Sequence, residues 1–348
     1  MIQTKVPGKL YIIGEYSVLK PGNNAILVAV DRFIHVKIDA AVDYQFQSEM
    51  GRFKWIMDER IPVLNYDEFT HAKAAVYVAH QYLKYKKVLP YIYHINLESE
   101  LQDKSSQKYG LGSSGAVIIA VIKAILMYHN VEVTPMLLFK LAVLAQIEIN
   151  DLTSGGEIAA SIYGGWVYYQ RYDLLWLMNH KGKFEDLLTI DWPLLRIERL
   201  KPQNIHVLCC YSGLTQSTKK YIDIVITKGL NQPWYFTFLS KTHLIVNQFK
   251  EALLRDDFIT IKQMIKHYRE ALAELEVQTE IMIESEPFKK MIKAAEDLGV
   301  AAKTSGAGYG DCGIALTNDV TVIPKLENAW VNLNLEPLKL HVWENLDE

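Results

Sequence analysis

Hydrophobic and polar residues alternate in short runs at the start of the chain. Ile2 to Val6, Leu10 to Ile13, Ala25 to Val30 and Phe33 to Ile38 each read as a β-strand, separated by Gly, Pro and Asn turn signals. The period then changes: Glu68 to Tyr85 carries apolar residues at helical spacing, Tyr91 to Leu97 alternates like a strand, and a polar loop from Glu98 to Lys108 leads to Gly110. After Gly115, apolar residues at helical density run to Tyr128, and the start signal Thr134-Pro135 opens a second helix to about Ile149, expected to pack on the first. Small residues fill Ser154 to Ser161, Trp166 to Tyr169 is β-like, and Trp176 to Asp191 is irregular and charged enough for a domain connection. A boundary near 185 divides the chain into 1–185 and 186–348. The second part holds strand-like Ile197 to Leu200 and His206 to Tyr211 and a helix-rich stretch from Lys219 to Leu298. A glycine-rich turn and strand within Ala302 to Leu316, helix-like Val322 to Asn332 and a last strand, Lys339 to Trp343, complete an α+β order of elements.

Composition narrows the class without choosing a function. With 348 residues, about two domains are expected, and the chain is long enough to bury a core without disulfides or structural metal. Half the residues are hydrophobic and 22% are charged, which excludes a disordered or fibrous chain. A formal net charge of −3 supplies no broad field for nucleic acid or an anionic membrane, so an anionic ligand has to be held locally. Cys209, Cys210 and Cys312 lack zinc-type spacing and fit reduced thiols in a cytosol. The N-terminus lacks the apolar region and cleavage site of a signal peptide; the longest apolar stretch, Ala116 to Tyr128, is broken by Lys123 and too short for a membrane span. The expectation is a cytoplasmic protein acting on small molecules, with neither nucleic acid nor membrane as partner and its oligomeric state open. The aromatic run Trp166 to Tyr172 reads as sheet core rather than a base-stacking platform, since Arg171 is its only basic residue.

Three glycine-rich segments hold the candidate chemistry. In Pro7-Gly8-Lys9-Leu10, Lys9 sits in an expected tight turn before an apolar strand, where its ammonium can neutralise phosphate oxygens; a solvated turn lysine is the commoner case. Tyr109-Gly110-Leu111-Gly112-Ser113-Ser114-Gly115-Ala116 stands directly before a helix. There, backbone N–H groups and the helix dipole favour an anion, and the serine hydroxyls offer metal or phosphate contacts. A simple cap needs one such residue rather than a run. The third segment, Lys303 to Gly313, is either a ligand-approaching loop or a glycine-rich hairpin. Gly110 to Gly115 and Gly308 to Gly313 both satisfy GxGxxG, but the first follows a polar loop and the second opens onto a strand, so neither has the strand, turn and helix of a dinucleotide site. GxxxxGK[ST] is absent, as is the HRD loop of protein kinases, so a bound nucleotide calls for a different fold.

In this order the three segments resemble the motifs of the GHMP small-molecule kinases. Their wording, "PGKLYIIGEYSVLKPG", "KYGLGSSGAV" and "KTSGAGYGDCGIAL", is most similar to the bacterial phosphomevalonate kinase family among them, and "GEIAASIYGGW" and "DWPLLRIERL" extend the likeness over most of the chain. The resemblance implies an N-terminal ribosomal-protein-like α+β domain, a C-terminal ferredoxin-like domain and an active site in the cleft between them. It implies ATP and Mg2+ as cofactors, with Gly110, Leu111, Gly112, Ser113, Ser114, Gly115 and Ala116 on the ATP phosphates and Ser114 on magnesium. Lys9 falls on the reacting phosphates, and Tyr16, Ser305, Gly306, Ala307 and Gly308 fall near substrate. Glu157 stands in Gly156-Glu157-Ile158-Ala159 where the family has aspartate and is the expected catalytic carboxylate beside Lys9; Asp151 is the nearest substitute. Tyr309 replaces a family glycine and is expected to narrow the site, while Tyr211 to Thr218 keeps only part of a family stretch near substrate, leaving Ser212 and Thr215 as further candidates. The implied reaction is ATP-dependent phosphorylation of (R)-5-phosphomevalonate to 5-diphosphomevalonate in the mevalonate pathway of isoprenoid biosynthesis. Phosphorylation of a hydroxyl, as by mevalonate kinase or another GHMP kinase, and a non-catalytic nucleotide-binding regulator are the alternatives.

Overall fold

A computed structural model describes residues 1–102, 108–180, 182–214 and 218–344. The four short strands expected at the start are two long ones, β1 (Ile2–Ile13) and β2 (Asn24–Ala40), paired antiparallel. Pro7-Gly8 does not end β1. The register slips there instead, so that Pro7 faces Phe33 and Gly8 faces Val30, with Asp31 and Arg32 bulged between them. A bulge tolerates a proline because no ladder donor is needed at that point.

On its other edge β2 pairs first with β7 (Trp166–Gln170) and then with β6 (Tyr93–Ser99). The end of the chain fills the gap between them: the Trp343 N–H donates to the Ala29 carbonyl, and the Gly165 N–H donates to that of Trp343. β3 (Tyr44–Ser48), β4 (Gly51–Asp58) and β5 (Ile61–Val63) extend the sheet beyond β6, and β8 (Arg196–Leu200) extends it beyond β7. Ile197 to Leu200 therefore belongs to the first sheet although it follows residue 185, and sheet membership changes between Leu200 and His206.

One face of this sheet is covered by α1 (Thr70–Tyr85), α2 (Ser113–Tyr128), α3 (Pro135–Glu148) and α4 (Gly156–Tyr163), with α2 packed on β1 and β2 and, as expected, on α3. The Thr134 hydroxyl caps α3 by accepting from the Leu137 N–H, with Pro135 in the first turn. The small residues of Ser154 to Ser161 form most of α4, which packs closely on β1 and α2. Trp176 to Asp191 is not an irregular connection: it contains α5 (Leu174–His180) and α6 (Phe184–Thr189). Leu177 and Leu187 are buried, while Lys183, Glu185 and Asp186 face solvent, which is why the stretch reads as charged.

The second lobe is an antiparallel sheet in the order β10 (Ala301–Thr304), β11 (Cys312–Thr317), β9 (His206–Tyr211), β12 (Glu336–Leu338). β12 lies just ahead of the strand expected at Lys339 to Trp343, where Val342 makes only an isolated bridge to Val30. α10 (Glu286–Glu296) and α11 (Ile323–Asn332) close a small core around Phe288, Met291 and Trp330. α7 (Thr218–Gly229), α8 (Pro233–Leu254) and α9 (Phe258–Thr279) complete the chain. α8 reaches back to β2 and to the 3-10 turn Ser17–Leu19. The Tyr268 hydroxyl of α9 donates to the Glu15 carbonyl at 2.6 Å, and Asn24 Nδ2 donates to Asn247 Oδ1 of α8 at 2.8 Å, so the segment after β1 is held by two helices of the second lobe. Among the described residues no helix is long and apolar enough to cross a membrane.

Candidate active site

A cavity of about 1050 Å3 lies between the lobes, with the start of α2 in its wall. Gly110 (φ 78°) and Gly112 (φ 81°) are left-handed there, and a Cβ on Gly112 would come within 2.8 Å of Lys9 Cε. Gly112 occupies the N-cap without a side-chain cap, so the N–H groups of Ser113, Ser114 and Gly115 begin the helix with no intrahelical acceptor, and all three residues line the cavity. Leu111 and Ala116 are buried behind this wall, where the Leu111 carbonyl accepts from the Lys9 N–H at 2.9 Å.

Lys9 is not in a turn. Pairing resumes at Gly8, Lys9 stands in the ladder opposite Ala29, and its side chain enters the cavity wall only 8% exposed. Its Nζ donates to the Gly110 carbonyl at 3.0 Å. Burial pushes its pKa down, opposed by the carboxylates of Glu157 and Asp311.

Glu157 sits in the first turn of α4 and lines the same cavity. Its Oε1 accepts from Thr153 Oγ1 at 2.7 Å and from Gln146 Nε2 at 3.0 Å. Gly115 makes room for it: a Cβ there would lie 3.0 Å from Glu157 Cγ. Asp151 is also in the wall, but with His71 Nε2 3.0 Å from its Oδ2 rather than as a free turn aspartate.

The third glycine-rich segment is the loop of the β10–β11 hairpin and, at Gly306, Ala307 and Asp311, part of the cavity wall as well. Tyr16 lines it too, its hydroxyl donating to the Ala307 carbonyl at 2.5 Å. Ser305 and Gly308 lie outside the wall. The Ser305 hydroxyl is engaged by β1, accepting from the Tyr11 N–H and donating to the Tyr11 carbonyl, both at 2.9 Å, while Gly308 packs on Ile283. Tyr309 has the positive φ of a glycine position, 64°, but does not narrow the cavity. Its N–H donates to Ile283 and its carbonyl accepts from Ser285 Oγ, which hold it away from that wall. Ser212 is buried, its N–H bound to the Asp311 carbonyl at 2.9 Å; Thr215 lies outside the described residues.

Lys108, Lys219, His71, Glu15 and Asp311 also line the cavity and were not singled out from sequence. Lys108, Glu15 and Asp311 stand within the quoted motifs and were legible as charges beside a phosphate site. Nothing local joins His71 to Asp151. Burial pushes the Asp311 carboxyl up from its ordinary 3.8 to about 6, against the pull of Lys9 and then Lys108. A carboxyl with a raised folded pKa keeps its proton better folded than unfolded, so its ionisation opposes folding. Asp311→Asn should therefore stabilise the protein by about 2 kcal/mol at about pH 8, the gain shrinking as pH falls through about 6 and vanishing near about 4. Thermal midpoints of both proteins across that range check this; a gain that grows toward low pH would contradict it.

A second cavity of about 460 Å3 meets the first at Thr70, His71, Lys108, Ser113 and Ser114. Its walls include Ile34, Phe46, Met50, Phe69, Leu97 and Val117. Among the described residues no three His, Cys, Asp or Glu side chains are grouped as a metal cage.

Known proteins share this architecture. Residues 71–165 match the GHMP kinases N terminal domain and residues 249–333 the GHMP kinases C terminal family. A phosphomevalonate kinase of Streptomyces sp. (strain CL190) is 31% identical, covering 96% of this chain and 95% of its own. A mevalonate kinase of Thermococcus sibiricus is 26% identical, covering 90% and 89%. Among solved structures, a protein from Listeria innocua aligns with a TM-score of 0.93 at 31% identity over 97% of both chains. The Streptococcus pneumoniae phosphomevalonate kinase in complex with phosphomevalonate and AMPPNP aligns with a TM-score of 0.88 at 26% identity, over 98% of this chain and 100% of that one. Family matches in both lobes, and full-length likeness on top of them, establish that the chain belongs to the GHMP kinases.

Proposed function

We propose that the chain transfers the γ-phosphoryl group of ATP to the phosphate of (R)-5-phosphomevalonate, forming 5-diphosphomevalonate and ADP. The observation that carries this reading is the convergence of a glycine-rich helix start, a buried lysine and a held carboxylate on one cavity, in a chain similar over nearly its whole length to phosphomevalonate kinases. The smaller cavity, with Ile34, Phe46, Phe69 and Val117 in its walls, suits adenine, and its junction with the larger one at Ser113 and Ser114 agrees with a triphosphate on the open N–H groups of α2. Ser114 and Glu157 are oxygen donors on the same wall, matching a hard cation that keeps waters and substrate oxygens as its other ligands. Mg2+ held by them would supply charge neutralisation on the triphosphate.

The residues of the chain then divide the work. Lys9, held by Gly110, places an ammonium between two polyanions; Lys108 and Lys219 add cationic charge to the same wall. Tyr16, Gly306 and Ala307 border the acceptor. A phosphate monoester, with a second pKa of about 6, is already largely ionised at neutral pH, so Glu157 has to orient rather than remove a proton. Phosphoryl transfer through a loose transition state depends mainly on positioning and charge neutralisation, which these groups provide. A cytoplasmic setting, with its ATP supply, completes the proposal and agrees with three free, buried thiols.

Coupled ADP release with magnesium-ATP, comparing phosphomevalonate, mevalonate and no acceptor, tests the reading. Turnover with phosphomevalonate alone is expected. Preference for mevalonate would reassign the acceptor to a hydroxyl, the activity named for several relatives. Nucleotide binding without turnover would make the protein a regulator.

A further inference from the structure

Arg171, directly after β7, is only 2% exposed, and among the described residues no carboxylate pairs with it. Its guanidinium donates instead to three backbone carbonyls: Nη1 to Leu19, and Nη2 to Thr153 at 2.9 Å and Leu152 at 3.2 Å. Nε is buried without a partner. A cation buried without a counter-charge is costly, and apolar packing would fill the same space more favourably. The three carbonyls say what the charge holds. Leu19 ends the turn that follows Tyr16, Thr153 leads into α4, and both residues line the cavity. The fork is anchored from behind, since the Arg171 N–H donates to Asn23 and its carbonyl accepts from the Gly22 N–H. One bond further on, the Thr153 hydroxyl donates to Glu157.

We propose that Arg171 is a positioning residue for phosphoryl transfer: its fork ties the Leu152-Thr153 peptides to the Ser17–Leu19 turn and so fixes the Thr153 hydroxyl that orients Glu157. It does not line the cavity, and its hold on Glu157 runs through Thr153. Lysine cannot substitute, because one ammonium cannot span carbonyls from two segments in the fixed plane of a guanidinium. The inference rests on the reading that Glu157 works on the bound substrates.

Steady-state kinetics with ATP and phosphomevalonate on Arg171→Lys, Arg171→Gln, Thr153→Ala, the Arg171→Lys/Thr153→Ala double variant and Glu157→Gln test it, with nucleotide-induced thermal shifts showing that each is folded and binds ATP. Arg171→Lys and Thr153→Ala should each lower kcat about tenfold with KM values within about twofold, the loss expected of a group displaced by a fraction of an ångström. The double variant should be no slower than the slower single variant, since both break one chain of contacts. A merely structural role would change the thermal midpoint and leave kcat per folded molecule intact. Wild-type kcat in folded Arg171→Lys or Arg171→Gln, or single losses that multiply in the double variant, would overturn the inference even where Glu157→Gln is impaired. Should neither Arg171 variant fold, wild-type kcat in Thr153→Ala overturns it and a tenfold loss supports it. Full activity in Glu157→Gln would remove the inference together with the role of that carboxylate, and an inactive wild type would remove the functional reading itself.

Discussion

Lys9→Met is expected to lower kcat with ATP and phosphomevalonate by about a thousandfold, the upper range for removing one preorganised charge from a transition state, while the ligand-free protein melts no lower than the wild type. Both halves follow from the same burial. Lys9 is almost wholly enclosed, has Gly110 as its hydrogen-bond acceptor, and has its pKa lowered first by desolvation. Without ligand its charge costs folding energy, and the attraction of Glu157 and Asp311 offsets only part of that cost. Methionine fills a similar volume without the charge. The sign can be checked by titration. A lysine with a depressed folded pKa binds its proton less well folded than unfolded, so the cost is full below the folded pKa and fades as pH rises through it toward the unfolded value. The melting advantage of Lys9→Met should shrink accordingly. With two polyanions in the cavity the balance reverses, because the ammonium then has charge to neutralise where little water competes. A variant that keeps its kcat would remove Lys9 from the chemistry. One that melts several degrees lower would instead assign it mainly to holding the glycine-rich loop through Gly110.

What was legible in the sequence was local. The helix read after Gly115, which in the structure begins at Ser113, and the Thr134-Pro135 start both follow from neighbours a few residues apart. The resemblance added what no spacing contains, an expectation of Tyr16 and the third motif near one substrate, and the structure brings the Tyr16 hydroxyl to the Ala307 carbonyl. Errors came where a distant partner decides. Pro7-Gly8 has the composition of a turn, yet pairing with β2 converts it to a bulge and carries Lys9 into a strand. Trp176 to Asp191 reads as a linker because its exposed charges outnumber the few leucines it buries. Ser305 sits within a recognisable motif, but its hydroxyl is claimed by Tyr11, 294 positions earlier. Arg171 stood out as a lone basic residue in an aromatic run; only the fold shows it reaching Leu19 and Thr153.

Glu157→Gln is expected to reduce kcat about a hundredfold, and Glu157→Asp about tenfold even though aspartate is the residue the family places there. The ordering comes from how the carboxylate is held. Thr153 and Gln146 both donate to Oε1, from 2.7 and 3.0 Å, and Gly115 leaves space against Cγ. Glutamine keeps length but loses the negative charge, and its amide can satisfy both donors only by keeping its carbonyl where Oε1 now lies, which turns an N–H donor toward cationic and metal-bound groups. Aspartate keeps the charge but withdraws it by roughly an ångström, beyond hydrogen-bond reach of at least one of the two donors. Glu157 is thus matched in length to the donors present in this chain. Pairing Glu157→Asp with Gln146→Glu should not restore the rate, because it sets a second carboxylate against the first. If Glu157→Asp instead turned over faster than the wild type, the contacts from Thr153 and Gln146 would be incidental, and the site would be an aspartate site carrying a tolerated extra methylene.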